Sequence, residues 1–210
     1  ETDQRIIQSI EKADLIVAVD GGVHHVQKLG LTADLIIGDL DSADPQVVSG
    51  MKADGAKVIR YPVEKDETDF EIALNYLKGI GVDEISVLAA SGGREDHFLG
   101  NIHLISNPKF HDMDIRLLVP GGEILICKKR QLIKGKKDDL VSLIPLSNMV
   151  KGVTTEGLFY PLKNDTLLRW KARGISNLLV KEEAFVQHQS GVLLCIHLFA
   201  KAAKFQKEEE

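Results

Sequence analysis

Short, continuous apolar runs alternate with segments of helical period over the first 120 residues. Residues 15–19, 35–37, 57–61, 84–90 and 115–119 read as strands. Between them lie helix-like stretches. Residues 4–12 carry Ile6, Ile7 and Ile10 on one face, and residues 23–29 close at Gly30, a suitable C′ glycine. Pro45 opens a third helix. Thr68-Asp69-Phe70-Glu71 has the form of a capping box, with Phe70, Ala73, Leu74 and Leu77 forming the apolar face behind it. Residues 96–106 read as a further helix. Apolar strands alternating with helices predict a mostly parallel, Rossmann-like sheet covered on both faces.

After Pro120-Gly121-Gly122 the pattern changes to β-branched runs and turns. Residues 123–127, 140–146, 178–180 and 184–199 read as strands, with Gln189-Ser190-Gly191 as a hairpin turn inside the last. The expected organisation is an α/β domain over residues 1–120 followed by an all-β sandwich over 121–210. No internal repeat is visible.

Composition narrows the function. Of 210 residues, 44% are hydrophobic, 27% charged and 5% aromatic, and the net charge is −5. Few aromatics and an acidic balance argue against a nucleic-acid partner. No apolar run nears the ~20 residues of a membrane span, and no signal peptide is visible. Cys127 and Cys195 belong to no CxxC pair, so buried free thiols in a reducing cytoplasm are expected. Cys195-Ile196-His197 reads as packing rather than a zinc site. Trp170 is expected to be partly buried, and the closing Lys207-Glu208-Glu209-Glu210 run to be a solvated end.

Three acidic clusters, at 38–42, 65–69 and 92–97, carry the candidate chemistry together with an Asp-Gly-Gly turn at 20–22. Asp20-Gly21-Gly22 and Gly38-Asp39-Leu40-Asp41-Ser42 follow the first two strands; Lys65-Asp66-Glu67-Thr68-Asp69 follows the third. Gly92-Gly93-Arg94-Glu95-Asp96-His97 then follows the fourth. Open parallel sheets bind ligands at the carboxyl ends of their strands. Two unit charges ~4 Å apart repel by about 4 kcal/mol at an effective dielectric near 20. Converging carboxylates must therefore protonate or hold a cation, and Mg²⁺ with substrate phosphates suits oxygen donors. Asp69 falls in a first helical turn, where carboxylates and phosphates are both favoured. Lys65 and Arg94 supply positive charge, and the paired glycines permit close approach. Each motif alone has a plain structural reading as a turn or cap. Their repetition at one expected sheet edge favours a site.

In this order the motifs resemble the thiamine pyrophosphokinase family. Asn101-Ile102, the stretch from Thr154-Thr155-Glu156-Gly157-Leu158 to Phe159-Tyr160-Pro161-Leu162, and Gly174-Ile175-Ser176-Asn177 extend the likeness along the chain. The resemblance implies an enzyme moving a pyrophosphoryl group from ATP to the thiamine hydroxyl. It also implies an α/β nucleotide-binding domain followed by a β-sandwich, and a homodimer with thiamine between subunits. On the matching positions, Asp39, Asp41 and Asp69 would bind Mg²⁺, and Asp96 would complete the acidic cluster. Asp20, Gly21, Gly22, Ser42, Lys65, Asp66, Thr68, Arg94 and His97 would serve ATP. Tyr160, Ser176 and Asn177 would shape the thiamine pocket. Asp41 and Asp96 both remain candidates for accepting the hydroxyl proton. Family members usually carry one more strand before the helix matched by residues 4–12. Two rival readings stand beside this one: a phosphohydrolase with a nucleophilic Asp39, and a non-catalytic nucleotide sensor.

Overall fold

The computed structural model describes residues 4–200; the acidic tail at 207–210 lies outside them. The backbone divides into two compact units, residues 1–83 and 84–210.

The first unit runs α1 (Gln4–Glu11), β1 (Val17–Val19), α2 (Val23–Lys28), β2 (Leu35–Gly38), α3 (Pro45–Ala53), β3 (Lys57–Arg60) and α4 (Asp69–Gly79). Its three strands form a parallel sheet in the order β1-β2-β3, with Ile36 paired to Ala18 and Val58. All of β2 is buried because both faces are covered. Ile36 points into a cluster with Val23, Val26 and Met51 from α2 and α3. Its neighbours Leu35 and Ile37 point the other way, onto Ile72 and Ala73 of α4. Thr68 caps α4, its Oγ1 accepting from Glu71 N at 3.2 Å. Gly30 at φ +68° ends α2 in the expected C′ conformation.

The second unit begins with β4 (Glu84–Val87), α5 (Glu95–Ile105) and β5 (Asp114–Val119). It continues through β6 (Gly122–Ile126), β7 (Arg130–Lys134), β8 (Leu140–Pro145), β9 (Met149–Glu156), β10 (Asp165–Leu168), β11 (Asn177–Leu178), β12 (Glu183–Gln187) and β13 (Leu193–Leu198). A six-stranded sheet has the order β11-β8-β13-β6-β5-β4, and a four-stranded sheet the order β10-β9-β12-β7. One buried cluster takes Leu125, Val141, Leu143 and Cys195 from the first sheet and Ile133, Val153 and Val186 from the second. That shared core makes the pair a sandwich.

Three expectations are corrected or refined here. β4 does not extend the β1–β3 sheet; it pairs in parallel with β5, which pairs antiparallel with β6. Gln189-Ser190-Gly191 is not a hairpin turn, because β12 and β13 lie in different sheets. The segment crosses from one layer to the facing one, as the shared core requires. Trp170 is 69% exposed rather than partly buried. It sits at the tip of a tight turn that Lys171 N closes by donating to Leu168 O at 3.0 Å. Both thiols are free and buried, as expected. Among the described residues no helix is long and apolar enough to cross a membrane.

Candidate functional site

In the first unit the acidic loops meet at the carboxyl ends of β1 and β2. Oxygens of Asp20, Asp39 and Asp41 all lie within 4.8 Å of one another. Backbone conformation makes this possible. Asp20 at φ +45° and Leu40 at φ +63° occupy the left-handed region, which costs a residue with a side chain of order 1–3 kcal/mol. The turn at Leu40 holds Asp39 and Asp41 together, with Asp41 N donating to Asp39 Oδ1 at 3.2 Å. Ser42 ties the loops to each other. Its N donates to Asp20 Oδ1 at 3.4 Å and its Oγ to Asp41 Oδ1 at 3.0 Å. His24 Nε2 lies 3.2 Å from Ser42 O.

Lys65 and Asp69 close the other side. Lys65 Nζ donates to Asp39 Oδ2 at 2.6 Å and to Pro62 O at 3.1 Å, and lies 3.2 Å from Asp69 Oδ1. That same Asp69 oxygen accepts from Asp39 N at 3.1 Å. The Lys65 ammonium, followed by the Asp41 amide, holds the Asp39 carboxyl below the ordinary aspartate range, and Asp39 in turn raises Lys65. The pair thus stays charged through neutral pH. Asp66 and Thr68 are exposed, and Thr68 is engaged as the cap of α4.

The donor set suits a hard divalent cation. Asp20, Asp39 and Asp41 offer carboxylate oxygens only, as Mg²⁺ prefers. The Lys65 ammonium already places one positive charge between Asp39 and Asp69. Asp20 lies with Asp39 and Asp41, and Asp69 Oδ1 lies beside them, 3.2 Å from Lys65 Nζ.

Gly38 makes this crowding possible. At φ +144°, a Cβ there would lie 3.1 Å from Asp69 Oδ1 and 3.3 Å from Asp20 Cβ. Gly38→Ala is expected to lower stability by at least about 1 kcal/mol. It should also weaken Mg²⁺ binding about tenfold by displacing both acids. Thermal melting and calorimetric Mg²⁺ titration check this.

Arg94, Asp96 and His97 lie in the second unit, at the start of α5, and all three are exposed. Arg94 Nε donates to Asp96 Oδ1 at 3.1 Å, and this pairing brings the Asp96 carboxyl down to about 2. The loop before them carries Ala89 at φ +56°.

Elsewhere in that unit Tyr160 is 63% exposed, with its ring edge-on to Phe159 at 4.8 Å between centroids. Asn177 is buried beneath it, and its amide serves the backbone. Oδ1 accepts from Tyr160 N and Leu178 N, each at 2.9 Å, and Nδ2 donates to Tyr160 O at 2.7 Å. Asn177 is therefore a clamp that fixes the Tyr160 loop. Ser176 sits at φ +58°, its N donating to Ser142 Oγ at 3.0 Å.

Together these features define an α/β protein with a carboxylate cluster at its strand ends, joined to a β-sandwich bearing exposed aromatics. Comparison with known proteins makes the class specific. A family model described as "Thiamin pyrophosphokinase, catalytic domain" matches residues 6–117. One described as "Thiamin pyrophosphokinase, vitamin B1 binding domain" matches residues 126–193. The chain is 29% identical to the thiamine pyrophosphokinase of Bacillus subtilis over 184 residues, covering 87% of this chain and 86% of that protein. A crystal structure of thiamine pyrophosphokinase from Bacillus subtilis superposes with a TM-score of 0.81 at 28% identity, covering 91% of this chain and 92% of that one. The Geobacillus thermodenitrificans structure gives 0.78 at 28% identity, covering 91% and 90% of the two chains. The chain belongs to the thiamin pyrophosphokinase family.

Proposed function

We propose that the protein is a thiamine diphosphokinase, converting ATP and thiamine to AMP and thiamine diphosphate. The observation that carries this reading is the meeting of Asp20, Asp39 and Asp41 within 4.8 Å, with Lys65 bridging Asp39 to Asp69, in a chain of this family. In the reaction the thiamine hydroxyl oxygen bonds to the β-phosphorus of ATP. The bond from that phosphorus to the oxygen bridging to the α-phosphorus breaks, and AMP leaves with that oxygen. The hydroxyl proton goes to a carboxylate. Asp41 and Asp96 are the two candidates for this role.

Asp39 and Asp41, with Asp20 beside them, are the residues to hold Mg²⁺, which supplies charge neutralisation on the phosphates. Lys65 and Arg94 offer cationic donors to phosphate oxygens, and fixed positions supply most of the acceleration. Gly21, Gly22, Ser42, Asp66 and Thr68 are the first unit's candidates to contact the nucleotide, and His97 is a candidate in the second. Tyr160 and Ser176 belong to the thiamine pocket, and Asn177 holds Tyr160 in place. The protein works as a cytoplasmic homodimer with thiamine between subunits, a role that suits the exposed Tyr160.

The test is AMP release from ATP·Mg²⁺ with thiamine present and omitted. Thiamine-dependent AMP, matched one-to-one by thiamine diphosphate, is expected. ADP as the product, or AMP formed equally without thiamine, overturns the reading.

A further inference from the structure

The three carboxylates of the cluster come from two loops and repel one another, so something besides the acids must hold those loops together. On the Asp39 side Lys65 does so, reaching both Asp39 and Asp69. On the Asp20 side the tie runs through Ser42, and all three of its polar groups are used. Its N donates to Asp20 Oδ1, its Oγ donates to Asp41 Oδ1, and its carbonyl oxygen lies 3.2 Å from His24 Nε2. A carbonyl can only accept, so Nε2 is the nitrogen that carries the hydrogen in this contact. His24 stands in the first turn of α2, which follows directly on the Asp20-Gly21-Gly22 turn. It is half-buried, whereas its neighbour His25 is exposed.

The backbone on both sides of this tie needs support. Asp20 and Leu40 occupy the left-handed region, at φ +45° and +63°. Such conformations persist only where the surroundings over-determine them. Leu40 and Ala43 are buried in one cluster with Val23 and Val26 of α2. His24 lies between those two valines in sequence and reaches the same loop with its polar edge. Helix α2 thus grips residues 40–43 by apolar packing and by one hydrogen bond, and through Ser42 that grip sets how far Asp20 stands from Asp41. We propose that His24 is a positioning residue for the cation site, holding the Asp39–Asp41 loop at the separation from Asp20 that a divalent ion requires. It touches neither the ion nor a substrate. This role rests on the reading of Asp20, Asp39 and Asp41 as the residues that hold Mg²⁺.

The test compares wild type with His24→Met and His24→Gln by calorimetric titration of Mg²⁺ alone, without nucleotide. The two new side chains have the same length and both suit a helix, but only the glutamine offers an N–H where Nε2 stood. His24→Met is expected to bind Mg²⁺ about tenfold more weakly, the scale for groups that orient metal ligands from behind. His24→Gln should bind as wild type does. Turnover should show the same order. The Mg²⁺ concentration for half-maximal thiamine-dependent AMP release should rise about tenfold in His24→Met, with KM for thiamine unchanged. His25→Met, at the exposed neighbour, is the control and should match wild type in every measurement. Mg²⁺ affinity in His24→Met equal to wild type overturns the proposal, as does a His24→Gln protein that binds no better than His24→Met. A His24→Met protein that fails to fold in Mg²⁺-free buffer overturns it too, since His24 would then hold the fold rather than the site. The two readings fail separately. Wild type that binds no Mg²⁺ sinks the metal assignment and this role with it, whereas wild type that binds Mg²⁺ beside an unaffected His24→Met sinks the role of His24 alone.

Discussion

Asp69→Asn is expected to cut thiamine-dependent AMP release by about 10²–10³-fold, the usual loss when one preorganised charge is removed from a transfer site. The fold should survive. Asparagine keeps an oxygen able to accept from Asp39 N, the bond that Asp69 Oδ1 makes at 3.1 Å. What disappears is the negative charge 3.2 Å from Lys65 and in the first turn of α4. Losing a carboxylate at a helix start costs about 0.3–1 kcal/mol. Lys65 would then be held by Asp39 and the Pro62 carbonyl, without the second carboxylate that now shares its charge. Asp44→Asn is a control. That carboxylate caps α3, accepting from Gln46 N at 2.8 Å, and takes no part in the cluster. Asparagine caps as well as aspartate, so turnover should be unchanged. AMP release paired with thermal melting separates the two outcomes. Near wild-type turnover in Asp69→Asn would remove Asp69 from the machinery.

The acidic loops were legible in the sequence because short apolar runs giving way to Asp or Gly-Asp, as at Asp20 and Asp39, mark strand ends without any knowledge of packing. The destination of long side chains was not. Lys65 reads as a phosphate contact, yet its ammonium bridges Asp39 and Asp69, which depends on where β2 and α4 lie. The left-handed turn at Leu40 is equally invisible, since nothing about a leucine announces φ > 0. Nothing in the sequence shows that the Asn177 amide bonds the Tyr160 backbone across 17 residues. Sheet membership failed for a different reason. A Ser-Gly turn between two β runs looks the same whether the strands pair or, like β12 and β13, enter facing layers. Likewise, β–α–β alternation continues unbroken through β4 although its partner is β5.

Asp139→Ala is expected to be the most destabilising single change in the second unit, by about 3–5 kcal/mol, because it leaves buried partners uncompensated. The sequence reading took His197 for packing. It is fully buried, with Nε2 3.1 Å from Asp139 Oδ2 and Nδ1 3.4 Å from Glu123 Oε1. Both ring nitrogens thus face acceptors. Asp139 also accepts from Lys136 N and from Ala200 N, each at 2.8 Å. Removing it orphans two backbone amides together with the imidazole. Glu123 forms the other half of the network, its Oε2 accepting from Arg116 Nη1 at 3.0 Å. Burial alone would raise the Glu123 carboxyl, but His197 and Arg116 overcome this and hold it below the ordinary glutamate range. A carboxyl depressed in the folded state contributes fully above its unfolded pKa, and the contribution fades as pH falls through the folded value. Glu123→Gln should therefore lose stability at neutral pH, and its deficit against wild type should narrow in acid below the ordinary carboxylate range. Urea unfolding followed by circular dichroism at several pH values measures both variants. An Asp139→Ala midpoint equal to wild type, or a Glu123→Gln deficit that widens on acidification, would show that the His197 network does not hold this sheet together.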